Sequence, residues 1–596
     1  MATGIEHSEA EADAPPPADP AAGEAEAPAT PGSPVGWPRR AWAWAHRHPL
    51  LVVLVVASAL AAIQCAWIWQ HRLVGALDPD EAGYIATTFR FQRTLLHDPL
   101  AMPRAIGGTG NGPLVPLLSV PLLLVGPDDP RTVLMAQPIL MVVTAVAAAG
   151  IARRLAGSGA AMVTGIVMMA LPTVVFATQT YWLGLGAAAA MALGAWALVS
   201  SDRLQNRWTY AYGACTGAML LCRTMTLGFL PAMVLAGVVV AGRDRRSWVG
   251  LAKALGVTFL VAFPWWFVAR HAIFDYLFSY GYGARSRLFG EGGPRQRWDH
   301  RVASVRLGVG AAGRWALVVV AFAAFQLVRT WHGWPRQTRH AVALAVAIVA
   351  GMVALASTSN NGVWFELPII ALLVPLVVAF GSKAPDLVKG LVLIPVAVVS
   401  VLQLGCSLWL IAPGPRPVVG IATVHRVAQY EYGFEQYDRR FGPEQRDQLR
   451  EAAGEWAAAS RAVEAELRRL SPDGSTVFTT SGNFEMFNTN TVELEAQRHG
   501  WTPRLWVPDT VGGPDRRARY LTPGGTDDAG SVVRGPDGRQ VERVLVIARH
   551  DQHLFTPDER VDALYREARA AGWEPVWRRP LPVDGEVVVL RHPDRS

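Results

Sequence analysis

Asp78, Asp80 and Glu81, with Tyr84 a turn further on, stand just beyond a long apolar segment at about residues 50–69. Three carboxylates this close to hydrocarbon are costly, and that cost invites a functional explanation. A carboxylate within hydrogen-bond reach of a hydroxyl can take its proton as general base, worth about 10²–10⁴ in rate. Adjacent carboxylate oxygens can also hold a hard divalent cation such as Mg or Mn. The plain alternative is a solvated acidic loop.

A second set of chemical groups lies further on. The stretch 270–312 carries Arg270, Arg285, Arg287, Arg295, Arg297, Arg301 and Arg306. Guanidinium groups grip phosphate in a two-pronged fork, so such a cluster suits a phosphate-bearing substrate. Contact with anionic lipid headgroups is the competing explanation. Arg223 stands alone among apolar residues. Asn360, Asn361 and Trp364 open an apolar segment and could line a sugar pocket, although interfacial anchoring accounts equally well for the tryptophan. His550 and His553 read as part of a surface loop rather than a metal site. The four cysteines lie in apolar segments with no metal-binding or paired spacing.

The elements that must position these groups are membrane helices. The chain has 596 residues, 51% hydrophobic and only 17% charged. Apolar runs of about 18 to 24 residues recur between Leu50 and Ile411, each long enough to cross a bilayer. The expected class is a polytopic α-helical membrane protein of about eleven spans. The net charge of +7 is spread over loops, so it reports topology and not nucleic-acid binding.

Residues 1–38 read as a disordered, acidic, Ala/Pro-rich cytoplasmic tail. Arg39, Arg40 and Arg47 precede the first span and place the N-terminus in the cytoplasm. The acidic cluster then falls in an outer loop, 71–130, inside a membrane domain of residues 39–412. Within that loop Phe89, Phe91, Leu95 and Leu96 alternate with polar residues, as in an amphipathic helix at the interface. Residues 113–126 are too short and too proline-broken to cross. After Pro413 the composition becomes soluble, with β-rich runs among helical ones. Residues 413–596 are therefore expected to form a small extracytoplasmic α/β domain.

The order of motifs carries a resemblance. Asp80-Glu81-Ala82-Gly83-Tyr84 matches an Asp-Glu-x-x-Tyr stretch. Asn111-Gly112-Pro113-Leu114 stands where a Lys/His-Pro-Pro-Leu element is usual, and Ile151 to Gly157 resembles an Ala-Arg-Arg-Leu-x-Gly boundary. Leu221-Cys222-Arg223-Thr224 resembles Leu-Thr-Lys-Tyr, and Phe263-Pro264-Trp265-Trp266 resembles Leu-Pro-Trp-Tyr. Together these resemble the GT-C class of membrane glycosyltransferases, such as protein O-mannosyltransferases and the aminoarabinose transferases of lipid A.

That resemblance implies a polyprenyl-phosphate sugar as donor and a glycan, lipid or protein acceptor at the outer face of the cell membrane. It implies Asp80 as base, with Glu81 orienting the acceptor or sharing a divalent cation. Asp78, Tyr84, Asn111, Arg223, Arg270, Arg285, Arg287 and Asn361 become the candidate substrate-binding residues. Two other functions remain open from sequence: a transporter or flippase for a lipid-linked substrate, and a non-catalytic sensor with an outer ligand-binding domain. A transporter is expected to carry polar or broken segments near span centres.

Overall fold

The structure is a computed structural model. It describes residues 36–72, 79–282, 293–310, 336–358, 365–382, 386–408, 410, 416–418, 422–424, 452–474, 477–481, 487–506, 543–549, 558–582 and 585–591. Asp78, Arg285, Arg287, Asn360, Asn361, Trp364, His550 and His553 lie outside the described residues.

Among the described residues six helices are long and apolar enough to cross a membrane: Pro49–His71, Pro130–Ala156, Leu183–Ser200, Thr224–Ala241, Arg245–Val268 and Gln337–Ser357. A seventh candidate is the pair Ser158–Ala170 and Pro172–Gln179, bent by 55°. Pro172 supplies no amide hydrogen to continue the first helix, so the chain breaks there. Two of the further expected spans fall on helices of only 15 residues, Trp208–Cys222 and Leu367–Gly381. A third falls on Asp386–Ser407, and the one expected at 313–329 lies outside the described residues. The short segment at 113–126 is a helix, Leu114–Val125, with Pro121 inside it.

Leu183–Ser200 is buried along almost its whole length. Its Gly and Ala residues give it a thin profile, so neighbouring backbones can approach closely where no water drives association. The helix Gly36–Arg47 is a unit separate from the body that begins at Pro49.

The helix Pro79–His97 follows the first candidate span in the chain. Pro79 at its first position and Asp80 and Glu81 in its first turn suit a helix N-terminus, where fixed φ and negative charge are favoured. Its aromatic residues are not left to lipid. Phe89 and Phe91 are buried in protein, whereas Leu95 and Leu96 near its end are exposed.

The C-terminal part holds a five-stranded sheet. Its strands are β3 (Val477–Ser481), β4 (Arg504–Trp506), β5 (Arg543–Arg549), β6 (Glu574–Leu581) and β7 (Gly585–Arg591), after a small antiparallel pair β1 (Arg416–Val418) and β2 (Ala422–Val424). The order is β4-β3-β5-β7-β6. β3 runs parallel to β4 and β5, and β7 runs antiparallel to β5 and β6. Alternate residues face opposite sides. Val544, Val546, Val587 and Val589 pack with Trp456, Val463 and Leu467 of the helix Ala453–Leu470. Ile547, Val588 and Leu590 pack with Val561 and Leu564 of Asp558–Ala570.

One helix of this part, Thr489–Arg498, lies on the helix that carries the acids. It is started by Asn488, whose side chain accepts from the Asn490 and Thr491 amides while the Thr491 hydroxyl accepts from the Asn488 amide. A Cβ placed on Gly83 would stand 3.2 Å from Asn490 Nδ2, so the absence of a side chain lets the two helices meet. Further along, Arg93 donates to the Gln497 carbonyl and Arg90 lies in the field of Glu493.

Candidate active site

The two adjacent acids diverge. Glu81 turns inward, and its side chain is 2% exposed. One oxygen accepts from Arg72, itself buried just after the first span; the other accepts from the Tyr181 amide at 2.7 Å. Asp80 turns outward, with its side chain 51% exposed. A helix advances about 100° per residue, so neighbours on it cannot face the same way.

Glu81 thus ties the start of the acid helix to two membrane segments. The Tyr181 side is in turn fixed from several directions. The Tyr181 hydroxyl sits 2.7 Å from Ser119 Oγ and 3.3 Å from Thr88 Oγ1. Gln179, two residues earlier, donates to the Ser407 carbonyl at 3.2 Å.

Asp80 faces a cation. Arg223 Nη2 stands 3.8 Å from Asp80 Oδ2, and its side chain is only 4% exposed. The Arg223 guanidinium lies over the Phe365 ring at 4.3 Å and over Trp182 at 5.1 Å. Both rings are buried. Aromatic faces attract a cation most strongly where water is excluded, so they set the direction in which this guanidinium points. Tyr84, one turn after Asp80, packs edge-on to Trp182, and its hydroxyl lies 3.4 Å from the Asp80 carboxylate.

Arg223 begins a break between helices, with Trp208–Cys222 before it and the short turn Thr224–Gly228 after it. Gly112 holds that break in place. A Cβ on Gly112 would come within 2.3 Å of the Leu221 carbonyl oxygen and 2.6 Å of the Arg223 nitrogen. Only glycine permits so close an approach of two backbones. Thr224 Oγ1 adds a hydrogen bond to the Gly110 carbonyl at 2.6 Å. Asn111 sits between these two contacts, and its side-chain oxygen is buried with no hydrogen-bond partner among the described residues.

Of the residues singled out in the sequence, Asp80, Tyr84 and Arg223 are brought together here, Glu81 turns away from them, and Asn111 precedes the Gly112 that meets the Arg223 backbone. Arg270 is not among them. It is exposed, and its guanidinium donates to the Phe267 carbonyl at 2.7 Å and stacks over the Phe267 ring. Arg301, not far along the chain, has the opposite surroundings. Arg301 is fully buried, pairs with Glu366 at 2.8 Å, and lies over the same Phe365 ring at 5.6 Å.

One Glu81 oxygen meets Arg72 and the other the Tyr181 amide, and Asp80 Oδ2 stands 3.8 Å from the Arg223 guanidinium. Among the described residues no group of three or more metal-ligating side chains gathers.

Arg72, Trp182, Phe365 and Glu366 were not foreseen. Arg72 had a visible signal, a cation placed directly after an apolar span and nine residues before Glu81. The aromatic pair had none, because Trp182 and Phe365 come from distant segments.

No family model and no curated protein matches the chain. Solved structures do. ArnT of Cupriavidus metallidurans in the apo state aligns with a TM-score of 0.51 at 14% identity, covering 90% of this chain and 97% of that one. The same protein bound to undecaprenyl phosphate aligns with a TM-score of 0.50, at the same identity and coverage. The oligosaccharyltransferase of Archaeoglobus fulgidus with a tethered acceptor peptide gives 0.48 at 12% identity, covering 87% of this chain and 72% of that one. The likeness to ArnT is one of fold, over nine-tenths of this chain.

Proposed function

We propose that the chain is an integral-membrane glycosyltransferase that moves a sugar from a polyprenyl-phosphate donor to an acceptor at the outer face. The observation that carries this is the buried Arg223 guanidinium held 3.8 Å from an exposed Asp80. A fixed cation beside an accessible carboxylate is what transfer from a phosphate ester requires. Likeness of fold to ArnT, a structure of which is bound to undecaprenyl phosphate, supports the same assignment.

Arg223 receives the donor phosphate. The donor is a phosphodiester with one negative charge, and its two free oxygens can take both prongs of the guanidinium, so its arrival loosens Arg223 from Asp80. Asp80 then takes the proton of the acceptor hydroxyl as general base. The acceptor oxygen attacks the anomeric carbon, the bond from that carbon to the phosphate oxygen breaks, and the electron pair leaves with the phosphate. Arg223 stabilises that developing charge from a preformed position. One displacement without a covalent intermediate inverts the anomeric centre. Glu81 serves as the anchor of the acid helix through Arg72 and the Tyr181 amide, not as a second base.

In this proposal the N-terminus is cytoplasmic, and residues 413–596 lie outside, with the helix Thr489–Arg498 on the acid helix. The deciding experiment is transfer from a panel of radiolabelled polyprenyl-phosphate sugars in membranes, wild type beside Asp80→Asn. Wild type is expected to transfer at least one sugar, and Asp80→Asn to lose about 10²–10⁴ of the rate with unchanged expression and melting. Equal rates in the two would remove Asp80 as base.

A further inference from the structure

Arg301 and Glu366 form an ion pair with neither side chain exposed at all. Arg301 Nη1 donates to Glu366 Oε1 at 2.8 Å, and Ser304 Oγ donates to the other Glu366 oxygen at 2.7 Å. Two charges withdrawn from water seldom add stability, because desolvation opposes their attraction and apolar residues of the same size serve as well. A pair so completely buried calls for another explanation, and what it touches supplies one. Glu366 directly follows Phe365, and the Arg301 guanidinium lies over the Phe365 ring at 5.6 Å. The same ring carries Arg223 at 4.3 Å. Two guanidinium groups sharing one aromatic ring repel each other unless one of them is neutralised. The Glu366 carboxylate neutralises Arg301, and in doing so lets Arg223 keep its place over the ring and its direction toward Asp80.

We propose that the buried Arg301–Glu366 pair, acting through Phe365, positions the Arg223 guanidinium and so sets the affinity for a lipid-linked phosphate. Arg301 and Glu366 are positioning residues: they act on Arg223 and do not meet the reacting atoms. This rests on Arg223 being the phosphate-binding group of the proposed glycosyltransferase. Phe365 then has a role that requires its π-face. Tyrosine keeps such a face and leucine, though similarly apolar, does not.

The test is binding of undecaprenyl phosphate to the full-length protein in nanodiscs, read by native mass spectrometry, with thermal melting of each variant alongside. Arg223→Ala is expected to abolish the bound species. Glu366→Gln, which leaves Arg301 charged beside the shared ring, is expected to bind about tenfold more weakly, whereas the double variant Arg301→Met with Glu366→Gln, uncharged and of similar volume, is expected to melt and bind near wild type. Phe365→Leu is expected to weaken binding to the same degree as Glu366→Gln, and Phe365→Tyr to restore it. Loss on Arg223→Ala with wild-type binding in Glu366→Gln and in Phe365→Leu would overturn the positioning role and leave the phosphate site standing. Wild-type binding by Arg223→Ala would overturn the phosphate site itself. Equal weakening by Phe365→Leu and Phe365→Tyr would show that the ring's π-face is not what matters, and the relay would fall.

Discussion

Two adjacent carboxylates have opposite surroundings, and the difference between them is the central residue-level finding. Asp80 is half exposed beside a buried cation, whereas Glu81 is enclosed and paired with Arg72. Removing one partner of an enclosed pair leaves a charge without water or counter-charge, which costs about 3–5 kcal/mol. Glu81→Gln and Arg72→Met are each expected to lower the melting temperature in detergent strongly. The double variant Arg72→Met with Glu81→Gln is expected to recover a large part of the loss, since no bare charge remains. If the single variants melt like wild type, Glu81 is not the anchor of the acid helix. Asp80→Asn, at a surface position, is expected to leave melting alone while removing transfer, so the two acids separate in one pair of measurements.

At the scale of elements, the helix Thr489–Arg498 lies on the helix Pro79–His97 and couples the soluble sheet to the acids. Burial pushes the Glu493 carboxyl above its ordinary value of 4.5, with the opposing charge of Arg90 pulling it back in part. The groups facing this contact from the acid helix are Arg90 and Arg93. A raised value means that the docked state holds the proton more tightly than the undocked one. Docking is therefore strongest below 4.5 and weakens as pH climbs through the raised value. Hydrogen exchange of the amides of Pro79–His97 should accordingly speed up over that interval beyond the intrinsic pH effect. In Glu493→Gln the extra acceleration should vanish. An identical profile in both proteins would show that Glu493 does not control the contact.

At the scale of the whole molecule, the proposal places every chemical group at one end of the membrane helices. The acid helix comes soon after the first span in the chain, and the helix Thr489–Arg498 lies on it, so the two helices must occupy the same compartment. A dual reporter fused after Gln70 is expected to give signal only outside the cytoplasm, and one fused after Arg47 only inside. A cytoplasmic signal after Gln70 would place Asp80 away from any outer-leaflet donor. It would also reverse the compartment of the C-terminal strands.

Much of this was legible in the chain itself, because it depends on local pattern. Long apolar runs specify spans wherever backbone groups must bond within their own segment. Pro79 with two acids specifies a helix start, and Gly112 beside Pro113 marks a turn. The motif order also named Asp80 and Arg223, which stand 3.8 Å apart. What the sequence could not decide was direction and company. It treated Asp80 and Glu81 as a working pair, whereas the helix turns them apart. It grouped Arg270 with Arg301 by proximity in the chain, whereas packing leaves the first on the surface and encloses the second with Glu366. Trp182 and Phe365 reach Arg223 only through the packing of segments far apart in sequence. Periodicity and charge record how each segment meets water or lipid. Which buried side chains meet one another is set by the crossing of helices, and only the tertiary structure fixes that.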